Sequence, residues 1–200
     1  MASRSEQSET PPRARVGREV YVVAAAVIAV LLIAAVLTLP RDRGIPGQLG
    51  VLEGELAIDF TVRTLDGTDW TLSAHRGSVV VLSFMGAHCS TCAYESVNIL
   101  RPVFDAYSAR GVAMVSVDVN RQTSYLGGED EEAVRQFAVT NQVAWPIALD
   151  IAGVAQTYRA TGAGVALPTL LVIDGSGIIA ERHTGILSQG DLTALLESLL

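Results

Sequence analysis

The sequence predicts an α/β domain, a sheet covered on both faces by helices, held behind a single membrane-spanning helix. Three observations predict it. Nineteen uncharged residues, Tyr21 to Leu39 ("YVVAAAVIAVLLIAAVLTL"), stand apart from an otherwise mixed chain of 200. Beyond them, continuous β-branched and apolar runs such as "SVVVLSFM" and "VAMVSVDV" suit strands buried on both faces. Helical patterns alternate with those runs, and the chain closes with two strands joined at "DGSG" and an amphipathic helix.

The uncharged run spans roughly 28 Å as a helix at about 1.5 Å per residue, close to the hydrocarbon thickness of a bilayer. It is too long and too uniformly apolar for a core helix. Signal-peptide apolar regions are shorter, about 7–15 residues, and end at a small-x-small site. Here the run ends "TLPRDRG", with neither such a pair nor a cysteine to accept a lipid. An uncleaved signal anchor over 20–39 is expected.

Orientation follows from arginine, since the chain contains no lysine. Arg4, Arg13, Arg15 and Arg18 precede the span, while Arg41 and Arg43 lie close behind it. The positive-inside bias places 1–19, a polar tail expected to be disordered, in the cytoplasm. A Gly- and Pro-rich linker over 40–53 and a domain over 54–200 then lie outside the membrane. From Arg41 onward ten Arg face eighteen Asp and Glu, a formal charge of −8. No basic run exists to neutralise phosphates, which argues against a nucleic-acid partner.

Within the domain, "AIDFTVRTLDGTDWTLSAHRG" carries two short alternating runs around Asp66-Gly67, a hairpin signal. The strand "SVVVLSFM" is followed by a helix from about Ser90 to Arg110, stopped by Gly111 as a C-terminal cap. "VAMVSVDV" is the second buried strand. An acidic, Gly-rich loop, "YLGGEDEE", leads into a helical pattern carrying Ala133, Val134, Phe137 and Ala138. "WPIALD" reads as a short strand, "VAQTYRATG" as a short helix, and "SQGDLTALLESLL" as the closing helix.

Both cysteines fall in "SFMGAHCSTCAYES", at Cys89 and Cys92. Outside the membrane a structural disulfide is one reading. A loop of about four residues would contribute only about 2 kcal/mol, however, against about 3 for fifteen, so a staple is better placed between distant segments. Cys89 instead falls where a strand meets a helix, and there unpaired N–H groups and the positive end of the dipole favour a thiolate. A lowered pKa makes it both attacker and good leaving group. Cys92, one turn into the helix, can attack a mixed disulfide at Cys89.

"FMGAHCSTC" after a hydrophobic strand resembles the active-site turn of thioredoxin-fold proteins, and "ALPT" (Ala166 to Thr169) resembles their cis-proline loop. The anchor, the early hairpin and the extra helix resemble the membrane-anchored thiol–disulfide oxidoreductases of the TlpA and ResA type, over about Gly54 to Leu200. The resemblance implies a thioredoxin-like fold with an N-terminal β-hairpin and an inserted helix. It also implies Cys89 as the attacking and Cys92 as the resolving cysteine. Pro168 would be the cis-proline facing them, with the backbone of Leu167 pairing a substrate strand. From the residues alone, Pro168 also fits the start of a strand.

Glu95 lies one turn past Cys92, with Ile99 one turn further, on the same helix face. Burial there would raise its pKa toward neutrality and suit it to exchanging a proton with a thiol. The alternative is an exposed helical glutamate; the matching glutamate of ResA-like proteins favours function. Thioredoxin's own buried aspartate stands six positions before its first cysteine, where this chain has Ser83.

Departures from the family are His88 for the usual Trp, Thr91 for the usual Pro, and Val97 at the kink proline, with Pro102 later. His88 and Thr91 are therefore expected to tune the redox potential. An imidazolium at His88 would stabilise the Cys89 thiolate, whereas a solvent-facing His88 would not. His75 and His183 are expected at the surface.

The function expected is an extracytoplasmic disulfide reductase whose only cofactor is the Cys89–Cys92 couple. Its partners would be disulfide-containing extracytoplasmic proteins and a membrane electron donor, and it would act as a monomer without metal. The resemblance implies a place in cytochrome c maturation. The same chemistry run backward, as a disulfide donor, stays open. A copper chaperone built on His88, Cys89 and Cys92 is a further reading. Copper-delivering relatives, however, separate their cysteines by three residues and carry a histidine near the cis-proline loop, where this chain has two intervening residues, and Ala166 and Leu167 at the loop. Peroxidases carry P-x-x-x-T-x-x-C. Counting back from Cys89 gives Gly86 and Leu82, and from Cys92 gives Cys89 and Met85, so neither cysteine fits.

Overall fold

The computed structural model describes residues 27–29, 47–119, 130–160 and 165–200. The expected tail over 1–19 lies outside these residues, as does the expected anchor apart from 27–29, which are helical. Among the described residues no helix is long and apolar enough to cross a membrane.

Five strands form the central sheet in the order β7-β6-β5-β8-β9. They are β5 (Val80–Met85), β6 (Ala113–Asp118), β7 (Ile147–Leu149), β8 (Thr169–Ile173) and β9 (Ile179–Thr184). β5, β6 and β7 run parallel; on the other side of β5 lies β8, antiparallel to it, and β9 pairs antiparallel with β8. All six residues of β5 are buried, as a central strand covered on both faces requires.

The two faces of β5 meet different partners because side chains alternate along a strand. Val80, Leu82 and Phe84 pack with Val62, Trp70, Val154 and Tyr158. This side is covered by the hairpin β3 (Thr61–Arg63) and β4 (Asp69–Thr71) and by a short helix, which we number α4 (Val154–Thr157). Val79 and Val81 face the opposite way, toward Ile99, Leu100, Val103, Trp145, Leu192 and Leu196. The hairpin turns at Gly67, whose φ of 84° suits a residue without Cβ.

The helix expected from Ser90 to Arg110 is present but not uniform. It comprises α1 (Ser90–Glu95), a π turn over Ser96–Leu100, α2 (Arg101–Tyr107) and a closing 3₁₀ turn over Ser108–Arg110. Pro102 supplies a physical reason for the wide turn: it has no N–H, and its ring would press on the carbonyl four residues back. In the π turn the N–H of Arg101 reaches the carbonyl of Ser96 instead. Gly111 ends the run with φ 91°, in the left-handed region.

The inserted helix α3 (Glu131–Thr140) is capped by Asp130, whose carboxylate accepts the N–H of Ala133 at 2.9 Å. The last helix, α5 (Gln189–Leu199), is capped by Ser188 and lays Leu192 and Leu196 on the sheet.

One expectation is revised. Part of the segment read as a linker is folded: β1 (Leu49–Gly50) pairs in parallel with β2 (Leu56–Ala57). Glu55 fastens it by accepting the N–H groups of Val51 and Leu52 at 2.7 and 2.8 Å, and Arg182 donates to the carbonyl of Val51. These anchors lie up to 131 residues away in sequence, so the local Gly and Pro content concealed them.

Candidate active site

β5 ends at Met85, and Gly86 to Cys89 turn the chain into α1. The buried carboxylate of Asp118, at the end of β6, accepts the N–H of Ala87 at 2.8 Å and fixes this turn. Cys89 is the N-cap of α1: its backbone is extended, and its Sγ accepts the N–H of Cys92 at 3.1 Å. The hydroxyl of Thr91 lies 3.4 Å from the same sulfur.

Cys89 and Cys92 form a disulfide, with Cα atoms 5.2 Å apart. The two differ in access. Cys89 is partly exposed, while Cys92 is wholly buried among Met85, Val134, Phe137, Ile147 and Leu149. On reduction, the sulfur that an external disulfide can reach is therefore that of Cys89. It is also the one facing the helix N–H groups, which stabilise a thiolate.

Glu95 is buried, with 1 % of its surface exposed. Its Oε2 accepts the hydroxyl of Ser83 at 3.2 Å, and its Oε1 has no partner. Burial pushes its pKa up from 4.5 to about 7, and the Ser83 hydrogen bond opposes that rise. An acid held near neutrality on the helix face that carries Cys92 can hold or release a proton at working pH. Ser83 occupies the middle of β5, on the face where its neighbours are Val81 and Met85, so a hydroxyl there is a specific polar exception.

The Leu167–Pro168 peptide bond is cis. The pair Phe84–Thr169 in the β5–β8 register puts Pro168 at the end of β5 where the cysteine turn begins. Pro168 is buried, and Leu167 packs against the cluster containing Met85 and Cys92. The structure thus brings Cys89, Cys92, Thr91, Leu167 and Pro168 to one end of the sheet, with the Glu95 carboxylate further along β5 on Ser83. His88 is exposed beside Cys89.

The other two histidines are partly exposed. His75 is half-buried, stacked on Trp70 with ring centroids 4.5 Å apart, and burial lowers its pKa. His183 is also half-buried, with Nδ1 3.9 Å from a carboxylate oxygen of Glu181. Sequence reasoning also missed Asp118. The signal was there: it is the one charge in "VAMVSVDV", an otherwise apolar run. Among the described residues no group of three or more His, Cys, Asp and Glu side chains is placed to hold a metal ion.

Comparison with known proteins agrees with this geometry. Residues 54–182 match the AhpC/TSA family. The thiol-disulfide oxidoreductase ResA of Geobacillus thermodenitrificans is 30% identical over 173 residues, covering 86% of this chain and 92% of ResA. Two solved structures from Chlorobium tepidum share the fold. One, a thiol:disulfide interchange protein DsbE, superposes with a TM-score of 0.61 at 25% identity, covering 75% of this chain and 99% of its own. The other, a thioredoxin-family thiol:disulfide interchange protein, gives 0.62 at 19% identity, covering 78% and 99%. An exposed sulfur over a buried one at the end of a thioredoxin-like sheet, within a sequence that aligns along nearly all of ResA, places this chain in the AhpC/TSA family as a thiol–disulfide oxidoreductase of the ResA type.

Proposed function

We propose that this chain is a membrane-tethered reductase of disulfides in extracytoplasmic proteins. The observation that carries the reading is the division of labour between an accessible Cys89 and a buried Cys92, with Glu95 as a near-neutral acid on the same helix. The Cys89 thiolate attacks one sulfur of a target disulfide, and the other leaves as a thiolate that takes up a proton. Cys92 gives its proton to Glu95 and attacks Cys89 Sγ, breaking the mixed disulfide; the second target sulfur leaves as a thiolate and takes up the proton that Glu95 then releases. Two electrons pass to the target, and the Cys89–Cys92 bond remains. A membrane electron donor returns two electrons and two protons. Leu167 and Pro168 border the reacting sulfurs and offer backbone to a substrate strand, while His88 and Thr91 tune the couple. The anchor over 20–39 keeps the domain outside the membrane, and the resemblance to ResA makes cysteines of apocytochrome c a candidate target.

Direction is tested by equilibrating the full-length chain in graded thiol–disulfide buffers and trapping free thiols with a maleimide mass tag. A potential near or below that of thioredoxin, about −270 mV, is expected. A value near about −120 mV would make the protein a disulfide donor instead.

A further inference from the structure

Asp118 is a buried acid that the exchange steps do not use. It is the last residue of β6, and none of its surface is exposed. In the register of the sheet it stands between Met85 of β5 and Leu149 of β7. Neighbours in register share a face of the pleated sheet, so the Asp118 side chain lies on the face of Met85 and Leu149. Those two side chains pack in the cluster that encloses Cys92. Ser116, two residues earlier on the same face, accepts the indole N–H of Trp145. Asp118 instead directs Oδ2 at the N–H of Ala87, at 2.8 Å, two residues before Cys89.

Two properties of a carboxylate are separable here. As an acceptor it holds Ala87, and an amide oxygen in the same place could do so too. As a charge it acts on the sulfur. The N–H groups of the helix favour the Cys89 thiolate, whereas a nearby negative charge disfavours it. Burial removes the water that would weaken this repulsion. The disulfide is uncharged, so the effect falls on the reduced form alone. A couple whose reduced form is destabilised gives up electrons more readily, the reverse of a strong oxidant, whose reduced form is stabilised.

We propose that Asp118 lowers the potential of the Cys89–Cys92 couple: it is a positioning residue that anchors the turn through Ala87 and opposes the Cys89 thiolate with its charge. The other titratable groups around the turn are engaged differently. Glu95 sits on Ser83, further along β5, and exchanges a proton. Asp150 turns its carboxylate to the N–H groups of Val154 and Ala155 at the start of α4. His88 is exposed. The proposal rests on Cys89 being the attacking sulfur.

The test compares the full-length wild type with Asp118→Asn, which removes the charge and keeps an acceptor oxygen, and with Asp118→Ala, which removes both. Each is equilibrated in graded glutathione buffers, and the pH dependence of Cys89 alkylation by iodoacetamide reads its thiolate. Asp118→Asn is expected to shift the equilibrium about tenfold toward the reduced form, a rise of about 30 mV, and to bring the thiolate in at lower pH. Asp118→Ala should show the same shift and reduce insulin more slowly than Asp118→Asn, because the turn has lost its anchor. A potential unchanged or lowered in Asp118→Asn would overturn the role of the charge, whatever the stability of Asp118→Ala. Equal insulin rates in the two variants would overturn the anchoring role. The wild-type potential alone tests the direction of the couple, while the difference between wild type and Asp118→Asn tests Asp118, so either can fail without the other.

Discussion

Glu95 carries a cost, because its burial opposes its charge. Its carboxyl, ordinarily at 4.5, titrates at about 7 because burial penalises the charge. Below about 4.5 the folded and unfolded chains both hold the proton. Between about 4.5 and 7 only the folded chain does, so stability falls as pH rises through that window and then levels. The total is about 3 kcal/mol at about 1.4 kcal/mol per unit. Urea midpoints at pH 5 and pH 8 should therefore differ more in the wild type than in Glu95→Gln, where this contribution is absent. Ser83→Ala removes the hydrogen bond that favours the charged form, so the Glu95 carboxyl should titrate above about 7. A ¹³C-carboxyl NMR titration reads that shift directly, and no movement would remove Ser83 from the proton-holding pair.

At the scale of elements, the helix from Ser90 to Arg110 shows how strand, cap and breaker combine. Gly111 sits at φ 91°, where a side chain costs about 1–2 kcal/mol. Gly111→Ala should lower stability by that amount in chemical denaturation, without altering the redox potential. This stop was legible in the sequence because a cap is a local signal, as were the β-branched β5 and the turn at Gly67. The cysteine turn was legible for the same reason. The π turn was not: Pro102 could be read as an irregularity, but where the helix would widen depends on packing against the sheet. The pairing of Ser83 with Glu95 joins positions twelve apart through the fold, and β1 is secured by a residue near the far end of the chain. The α3 pattern announced a helix but not its position beside Cys89, since that placement is set by the packing of Val134 and Phe137 around Cys92.

For the molecule as a whole, the decisive property is its address. Arginine bias proposes that the domain lies outside the membrane, with the first nineteen residues inside. After mild reduction of intact cells, a membrane-impermeant maleimide should label Cys89, while Cys92, wholly buried, should react only once the protein is denatured. Labelling of Cys89 only after cell lysis would reverse the proposed orientation. The same experiment reads the difference in access between the two sulfurs in the native chain.

The chain has two tryptophans, and the sheet separates them. Trp70 lies with the hairpin, stacked on His75, while Trp145 lies among the helices on the other face, its indole N–H donated to Ser116 at 2.8 Å. Each face thus has its own intrinsic fluorophore. Trp70→Phe leaves only the helical face emitting, and Trp145→Phe leaves only the hairpin face. Denaturation curves from the two variants that superpose, after correction for the stability each substitution removes, would show that both layers melt as one cooperative unit.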